Sequence, residues 1–581
     1  MLKFFTYFKL RDYLMVALIL GLIVFEVWLD LTMPDYTAKL TTAASSSSID
    51  VNEVWSNGGM MVLIAFGSSA SAVASGFLSA IVAANVAKNL RKSLFNRILS
   101  FSDAEIDRFQ TASLITRTTN DVVRVQMLVS MGTQLVLKAP VMAIWAITKI
   151  SSTSVEWTTA VAVTVVSMVV VIALIVAIAF PKFRKIQKLT DELNAVTRES
   201  ISGVRVVRAF NAEDYQSNKF EKVNEAVTKN NLFTSRAMGF LFPFITIAMN
   251  GLTLAIYWIG AVLINDAPIM DRPVLIGEML AFTQIALQLV MSFMMLVAVF
   301  VFVPRTFVSV KRINEVLNTE PSIKFPESFT PGEGKGEIEF DHVSFAYHDG
   351  ASPCLKDISF KIEKGETFAI IGATGSGKTS LINLIPRFYD VSQGSVKLDG
   401  VDIRDYPQGE IQKRIALAPQ KATLFKGDVK HNVAYGAGQI EDDDPRLKKA
   451  IDLAQAGFVY ELEEGIRSNV AQGGTNFSGG QKQRLSIARS LFKDSEVVIF
   501  DDTFSALDYK TDMLVRKGIR KELSDRTVII VAQRIGTIKN ADKILVLEDG
   551  EAVGLGKHEE LLKNCPVYKE IALSQLKEEE L

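Results

Sequence analysis

The sequence predicts a membrane domain of six α-helical spans followed by an α/β domain. The mean hydropathy of the 581-residue chain is +0.23, and 49% of the residues are hydrophobic, a high share for a soluble enzyme of this size. All the long apolar runs lie within the first 303 residues. After residue 335, short strand-like runs alternate with helical stretches, which is typical of an α/β fold.

Six apolar runs of 20 to 27 residues predict the spans, because each is long enough to cross about 30 Å of hydrocarbon as a helix. These runs are Leu14–Met33, Met60–Val86, Met127–Ile147, Trp157–Phe180, Met238–Ile264 and Met279–Val303. The first run is too long for a cleaved signal peptide and is followed by five more.

The loops between the runs predict the orientation. Segments Lys88–Arg124 and Pro181–Arg236 carry seven and eleven Lys and Arg residues, whereas Pro34–Gly59 and Asn265–Val274 carry one each. The positive-inside rule therefore places the two basic segments, the α/β domain and both termini in the cytoplasm.

Composition excludes several classes of protein. The chain has 63 Lys and Arg against 64 Asp and Glu, so its net charge of -1 argues against a nucleic-acid partner. Two cysteines and four scattered histidines argue against a disulfide framework and against a Cys- or His-based metal site. The high apolar content excludes general disorder.

A change of composition divides the chain. Thr319–Lys335 (TEPSIKFPESFTPGEGK) is rich in Pro, Gly and charge, and is interpreted as a linker. The predicted domains are therefore 1–318, a linker over 319–335, and 336–581. Strand-like runs in the last segment predict a parallel sheet, namely GEIEFDHVSF, TFAIIG, SVKLDG, VVIFDD, TVIIVA and KILVLEDG.

A glycine-rich loop predicts a phosphate site. Gly372–Thr379 fits G-x-x-x-x-G-K-[ST] between an apolar strand and a helix, a context that makes a chance glycine turn a weak alternative. The backbone N–H groups would surround phosphates, Lys378 would reach the β- and γ-phosphates, and the Thr379 hydroxyl would bind Mg²⁺. The predicted nucleotide contacts here are Gly372, Thr374, Gly375, Ser376, Gly377, Lys378, Thr379 and Ser380.

Two further motifs strengthen this interpretation. The apolar run Val497–Asp501 ends in a carboxylate expected to hold the Mg²⁺ shell, a weak signal alone and a strong one beside the glycine loop. Asn476–Arg484 (NFSGGQKQR) would by itself suit a helix N-cap followed by a turn. With the other two motifs it resembles the ABC signature, and nearly the whole chain resembles a bacterial half-size ABC exporter.

This resemblance implies further site residues and ATP as the nucleotide. Tyr347 matches the aromatic residue that stacks on adenine, the alternative being an edge-strand aromatic. Gln420 matches the glutamine that senses Mg²⁺, and Asp508 closes the D-loop motif SALD. In the family, the signature residues of one chain contact the ATP held by a second, so a partner half-transporter is required. Those residues here are Ser478, Gly479, Gly480 and Gln481.

The membrane half resembles the exporters too. FSDAEIDRFQTASLITRTTNDV and ESISGVRVVRAFNAEDY resemble the intracellular loops of that family. Coupling helices are therefore expected near Ile106–Ser113 and Ala209–Gln216.

Two positions depart from the family pattern. Asp502 stands where the catalytic Glu is usual, and Gln533 stands where the switch histidine is usual. A smaller departure is Gln472, where many exporters are acidic. Because the glycine loop, Asp501 and the signature are intact, the pattern predicts a site that binds ATP but hydrolyses it slowly, as in one subunit of a heterodimeric exporter. A homodimer is the alternative.

The substrate is not readable from the sequence. Glu26 and Asp30 on the first span either attract cationic amphiphiles or are paired and partly hydrated near the outer end, and the second reading is favoured. Lys138 is interpreted as a packing or snorkelling residue. Phe282, Met291, Phe293, Met294, Met295 and Phe300 would suit varied apolar ligands or act as ordinary filler between helices.

The resemblance implies multidrug export of an amphipathic small molecule through a lipid bilayer, in a bacterial plasma (inner) membrane. A lipid flippase and an ATP-sensing regulatory subunit remain alternatives.

Overall fold

The structure is a computed structural model that describes residues 10–45, 50–326, 332, 335–347 and 352–575, without the side chains of residues 297–305. It divides into two compact units. One comprises Met1–Arg97 and Ala112–Asn318, and the other comprises Ile98–Thr111 and Thr319–Leu581. The loop over residues 98–111 therefore groups with the α/β unit. Residues 1–9, residues 576–581 and most of the Gly-rich end of the linker lie outside the described residues.

The described part of residues 10–318 is helical. It consists of long helices with shorter ones between them, and the short helix within residues 98–111 belongs to the second unit. The helices are α1 (Leu10–Ser45), α2 (Val51–Leu99), α3 (Asp103–Phe109), α4 (Thr111–Thr116), α5 (Val122–Ser151), α6 (Val155–Ser202), α7 (Val204–Ala209), α8 (Glu213–Gly239), α9 (Leu241–Asp266) and α10 (Arg272–Asn318). A π-helical turn, Arg117–Asp121, joins α4 to α5.

The described residues contain six helical stretches that are long and apolar enough to cross a membrane, which confirms the predicted spans. They are Leu10–Ser45, Val51–Leu99, Thr111–Ser151, Val155–Ser202, Glu213–Asp266 and Arg272–Leu296. The first five extend well beyond the apolar runs from which they were predicted. Helical structure therefore continues outside the hydrocarbon thickness, at about 1.5 Å per residue.

At least one of the Met and Phe residues of the sixth span packs between helices. Helix α10 packs against α1, α5 and α9, and α6 packs against α8 and α9. Phe282 is buried against Trp157, with ring centroids 5.3 Å apart, so it fills the space between helices. Met291 is 43% exposed, while the Phe300 side chain lies outside the described residues.

The intramembrane charges are paired. Lys138 Nζ on α5 donates to Glu26 Oε1 at 2.5 Å and to Asp30 Oδ2 at 3.4 Å on α1. Ser68 Oγ donates to Asp30 Oδ1 at 2.5 Å. Buried ionisable groups in a membrane are costly unless they find such partners. The favoured interpretation of Glu26 and Asp30 as paired residues is confirmed, and Lys138 is their partner.

The second unit is built on strands followed by helices. The strands are β1 (Ile338–Phe345), β2 (Leu355–Ile362), β3 (Thr367–Gly372), β4 (Gln393–Leu398), β5 (Val401–Asp402), β6 (Ile415–Ala418), β7 (Gly427–Asp428), β8 (Asn469–Val470), β9 (Val497–Asp501), β10 (Thr527–Val531), β11 (Lys543–Glu548) and β12 (Glu551–Gly556).

The helices of this unit cover its sheets. They are α11 (Lys378–Leu384), α12 (Glu410–Arg414), α13 (Val429–Val433), α14 (Pro445–Leu453), α15 (Gly479–Phe492), α16 (Tyr509–Glu522), α17 (Ile535–Ile538), α18 (His558–Asn564) and α19 (Pro566–Gln575). Single 3₁₀ turns occur at Ile403–Asp405, Gly457–Glu461, Gly465–Arg467 and Gln472–Gly474.

Two sheets, rather than one, hold the main strands. In the order β12-β11-β3-β10-β9-β6, strands β11, β3, β10, β9 and β6 are parallel and β12 pairs antiparallel at the edge. The prediction of a parallel sheet is therefore confirmed for TFAIIG, VVIFDD, TVIIVA and KILVLEDG. It is wrong for GEIEFDHVSF and SVKLDG, because β1 and β4 pair antiparallel in a separate sheet of order β2-β1-β4-β5.

The short loop helices begin earlier than predicted. Helix α3 covers Asp103–Phe109 rather than Ile106–Ser113, because Ser102 and Glu105 form a capping box and Gln110, with φ of 61°, ends the helix. In the other loop, α7 ends at Ala209, and a turn separates it from α8. The prediction of a helix over Ala209–Gln216 is wrong for the residues of that turn.

Candidate functional site

Four predicted site segments follow the carboxyl ends of neighbouring parallel strands. The glycine loop follows β3, Gln420 follows β6, Asp501 ends β9, and Gln533 follows β10. Because β3, β10, β9 and β6 are adjacent and parallel, their carboxyl ends lie at one edge of the sheet. Ligands of open α/β sheets bind at this edge.

The glycine loop has the backbone geometry that its sequence predicts. Gly375 and Gly377 have φ of +89° and +97°, a region that L side chains rarely adopt. A Cβ on Gly377 would lie 2.8 Å from Leu355 Cδ2 and 3.0 Å from the carbonyl oxygen of Cys354. Glycine at this position therefore serves both the turn and the close packing. The loop leads directly into α11, which begins at Lys378.

Lys378 directly follows this loop and lies near the carboxylates of Asp501 and Asp502. Its Nζ donates to the carbonyl oxygens of Gly372 at 2.8 Å and Ala373 at 2.7 Å. Burial lowers the pKa of Lys378, and the charges of Asp502 and Asp501 oppose this shift. Burial, reinforced by Asp502 and opposed by Lys378, raises the pKa of Asp501 to about 6. The Asp501 carboxylate thus lies in an environment where a bound cation would favour its ionised form.

Asp502 is held by the two predicted amide side chains. Its Oδ2 accepts hydrogen bonds from Gln533 Nε2 at 2.9 Å and from Gln420 Nε2 at 3.2 Å. Asp502 is 8% exposed and has φ of 45°, whereas both glutamines are exposed. The structure therefore brings together the residues at which the sequence departs from the family pattern.

Tyr347 lies near the start of α11. Its hydroxyl is 2.8 Å from Ser380 Oγ, and the residue is 39% exposed. Burial of the hydroxyl end raises the pKa of Tyr347. A partly exposed ring beside the glycine-loop helix can accept a flat apolar partner, as predicted for adenine.

The signature residues begin a different helix. Ser478 caps α15, where Ser478 Oγ accepts from Gln481 N and Gln481 Oε1 accepts from Ser478 N. A Cβ on Gly480 would lie 3.4 Å from the carbonyl oxygen of Ala506, so the signature packs against the D-loop segment. Ser478 and Gly479 are exposed.

The D-loop connects this region to Asp502. Ser505 Oγ donates to the carbonyl oxygen of Asp502 at 2.7 Å, and Asp508 Oδ1 accepts from Thr511 N at 3.0 Å. Hydrogen bonds from the side chain and the backbone N–H of Thr511 lower the pKa of Asp508. Asp508 therefore acts as the N-cap of α16. The D-loop, which ends at Asp508, is anchored at Asp502 by the Ser505 hydrogen bond.

The residues present fit ATP with Mg²⁺. Among the described residues, no group of three or more His, Cys, Asp and Glu side chains could hold a metal ion. Mg²⁺ needs no such group, since it is usually held by one or two carboxylates together with substrate phosphates and water. Asp501, the exposed hydroxyl of Thr379 and Gln420 would supply the protein ligands, and the glycine loop would supply N–H donors for the phosphates.

Comparison with known proteins decides the family. Residues 15–300 match the model of the ABC transporter transmembrane region, and residues 355–505 match that of the ABC transporter domain. The chain is 35% identical over 508 residues to an uncharacterized ABC transporter ATP-binding protein of Mycobacterium tuberculosis, covering 87% of this chain and 86% of that one. This chain belongs to the ABC transporter family.

Two further similarities describe the kind of ABC transporter. An ATP-dependent lipid A-core flippase of Hahella chejuensis is 34% identical over 397 residues, or 68% of this chain and 66% of that one. The fold matches the structure of a bacterial Atm1-family ABC exporter with ATP bound, with a TM-score of 0.80, 22% identity and 98% coverage of both chains. The chain thus has the fold of an ABC exporter, with one membrane domain and one ABC transporter domain in the same chain.

One residue beside the ATP site of this ABC transporter was missed from the sequence. Tyr389 lies edge-on to Tyr347, with ring centroids 5.2 Å apart. It follows the glycine-loop helix in IPRFYD, where nothing in the local sequence marks it as a site residue. Only the folded contact with Tyr347, 42 residues earlier, reveals it.

Proposed function

We propose that this chain is one half of a heterodimeric ATP-driven exporter and that its own ATP site hydrolyses slowly. The arrangement of Asp502 with Gln533 and Gln420 supports this proposal most directly. Both glutamine amides donate to Oδ2 of Asp502, the carboxylate that stands where the general base is usual. ATP at this site would chiefly hold two ABC domains together, while Ser478–Gln481 would complete the partner's site.

The length of the Asp502 side chain is one reason for slow hydrolysis. Asp has one methylene fewer than the usual Glu, so its carboxylate lies about one bond length farther from an attacking water. A well-placed general base contributes roughly 10²- to 10⁴-fold in rate, and that contribution depends on hydrogen-bond reach.

The replacement of histidine by Gln533 is a second reason. A glutamine amide can donate a hydrogen bond to a γ-phosphate oxygen, but it stays neutral at every pH. Histidine can carry a positive charge there, and charge-assisted hydrogen bonds are roughly twice as strong as neutral ones. Gln533 instead donates to Asp502 at 2.9 Å, so its amide has a second acceptor close by.

The deciding experiment is the steady-state ATPase of this chain purified alone in lipid nanodiscs, with the particle mass recorded in parallel. We expect little turnover from the lone chain and restored turnover when the second half-transporter is added. Brisk Mg²⁺-dependent turnover from a particle of two identical chains would replace the heterodimer by a homodimeric exporter. A nucleotide-dependent change without turnover in any assembly would favour an ATP-sensing subunit.

Lipid translocation is the second candidate for the transported substrate, beside export of an amphipathic small molecule. The relative named as a lipid A-core flippase supports it. Cells lacking this chain would be tested for retention of cationic dyes, and proteoliposomes for ATP-dependent movement of fluorescent phospholipids between leaflets. Dye retention with unchanged lipid movement supports a drug pump, and the reverse supports a flippase. Either assay assumes the proposed location in a bacterial plasma membrane with the ABC domain in the cytoplasm.

A further inference from the structure

Gln575 on α19 makes two hydrogen bonds to the backbone of the segment that carries Gln533. Its Nε2 donates to the carbonyl oxygen of Gln533 at 2.8 Å, and its Oε1 accepts from Ile535 N at 2.9 Å. These partners lie 42 and 40 residues earlier in the sequence, within the same compact unit. One side-chain amide therefore bridges the two residues on either side of Arg534.

The N–H of Ile535 needs an acceptor from outside its own helix. Ile535 is the first residue of α17, and the first N–H groups of a helix find no partner within it. Ile535 is also fully buried, which keeps water away from this N–H. The N-cap residue is Arg534, whose side chain carries donors and no acceptor. The Gln575 amide thus serves as a capping group that is supplied by a remote helix.

Helix α19 is anchored to the domain through the face that carries Gln575. Tyr568 and Ala572 are fully buried and belong to the same hydrophobic core as Ile535 and Ile538 of α17. Gln575 follows them at helical spacings of seven and three residues, so all three lie on one face of α19. The bridging amide therefore extends from a fixed helix.

The other end of α17 is held from a different side. Arg516 Nη1 on α16 donates to the carbonyl oxygens of Gly536 at 3.0 Å and Thr537 at 3.2 Å. Both acceptors lie beyond the segment that Gln575 bridges. The backbone of Gln533 is therefore positioned by β10, which precedes it, and by Gln575.

Gln533 connects this segment to the ATP site. Its Nε2 donates to Asp502 Oδ2 at 2.9 Å. Strand β10, which leads into Gln533, lies between β3, which leads into the glycine loop, and β9, which ends at Asp501. Hydrogen bonds weaken steeply when their distance or angle departs from a narrow optimum. The backbone that carries Gln533 must therefore be fixed for its amide to reach a chosen acceptor.

We propose that Gln575 is a positioning residue that holds Gln533 where its amide can donate to the terminal phosphate of ATP. The proposal rests on the proposed role of Gln533 in the ATP site. Gln575 acts through the backbone of Gln533 and does not itself touch the nucleotide. Because ADP lacks the γ-phosphate, loss of Gln575 should weaken the binding of ATP and leave the binding of ADP unchanged. Helix α19 thereby contributes to the choice between ATP and ADP.

Competition binding to the full-length chain in lipid nanodiscs tests this proposal. ADP and the β,γ-imido analogue of ATP, each with Mg²⁺, displace a fluorescent nucleotide, and the ratio of their Kd values gives the preference for the γ-phosphate. Gln575→Met keeps the side-chain length and the helix propensity but removes the amide. Gln575→Glu is a second variant, which keeps an acceptor for Ile535 N and loses the donor to Gln533. Ser574→Ala is the matched control, because Ser574 Oγ donates within its own helix, to the Ile571 carbonyl oxygen at 2.8 Å.

We expect Gln533→Ala to lower the preference for the ATP analogue by roughly three- to tenfold, the contribution of one hydrogen bond. Gln575→Met and Gln575→Glu should lower it by a similar factor, while the Kd for ADP changes by less than about twofold. Adding Gln575→Met to Gln533→Ala should have no further effect, because residues that act through one another are not additive. Ser574→Ala should keep the preference of the wild type.

Three results would overturn the proposal: an unchanged preference in both Gln575 variants, an equal loss of affinity for ADP and the ATP analogue in both, or additive effects in the double variant. Gln533→Ala checks the underlying role separately. If that change leaves the preference unaltered, the role of Gln533 fails and the proposal fails with it. If it lowers the preference while both Gln575 variants keep it, only the positioning by Gln575 fails.

Discussion

Asp502→Asn separates ATP binding from hydrolysis with little disturbance of the fold. Asn has nearly the size of Asp and tolerates the left-handed backbone, which Asp502 adopts with φ of 45°. Its carbonyl oxygen can accept the same two bonds, from Gln533 at 2.9 Å and from Gln420 at 3.2 Å. What disappears is the negative charge and the capacity to take a proton from water.

The size of the effect depends on which site turns over. If Asp502 is the working base, its loss should cost about 10²- to 10⁴-fold in turnover, or about 2.7 to 5.4 kcal/mol of activation free energy. If the partner's site does the hydrolysis, as proposed, the complex should lose less than about twofold of its turnover. The assay is steady-state phosphate release by the purified complex, with Asp525→Asn on the exposed surface as control. A hundredfold loss confined to Asp502→Asn would refute the degenerate-site reasoning.

Lengthening the Asp502 side chain should change the rate of ATP hydrolysis in the opposite direction. Asp502→Glu extends the carboxylate by one methylene and should raise hydrolysis at this chain's own site by roughly tenfold or more, toward the usual contribution of a general base. Gln533→His added to it should raise turnover further, since the imidazole can carry charge. The measurement is single-turnover hydrolysis by a complex whose partner site has been inactivated. An unchanged rate in the double variant would show that side-chain length and charge do not limit this site.

Three further predictions concern stability and binding. Gly377→Ala should weaken binding of an ATP analogue and cost about 1–2 kcal/mol of ABC-domain stability, because alanine is strained at φ of +97° and its Cβ would meet Leu355. Lys138→Met should lower the thermal unfolding temperature in detergent. The loss of stability should be at most about 3 kcal/mol, because the Lys138 side chain is a fifth exposed, and adding Glu26→Gln should recover part of that loss. Burial, and to a smaller extent the Lys539 charge, lowers the pKa of His558. The stability of the ABC domain should therefore fall as the pH drops below about 6.5. A His558→Gln variant should lose that pH dependence in thermal melts.

Local patterns were sufficient for the spans and for the phosphate loop. Span length and hydropathy depend on residues within one helix, and the glycine loop needs only a strand, a turn and a helix in sequence order. The start of α3 was also readable, because Ser102 and Glu105 fit the capping-box spacing. Applying that rule would have placed the helix three residues earlier than expected.

Strand direction was not readable in the same way. The run that forms β1 looks like the runs of the parallel sheet, but its direction is set by pairing with β2 and β4, which lie farther along the chain. Tyr389 was missed for the same reason, since its partners Tyr347 and Asp107 lie 42 and 282 residues away. Properties that depend on remote pairing need the folded chain.

Binding and hydrolysis of ATP draw on different atoms of this site, so the proposed site could keep one while losing most of the other. Binding needs the glycine-loop N–H groups, the Lys378 charge and an oxygen ligand such as Asp501 for the metal ion. Hydrolysis in addition needs a base within reach of one water molecule. The proposed effect of the two departures, Asp502 and Gln533, is on this second requirement, and the two side chains contact each other at 2.9 Å. A change at either position alters the hydrogen bonding of the other, so the two departures act as one change to a single hydrogen-bonded pair.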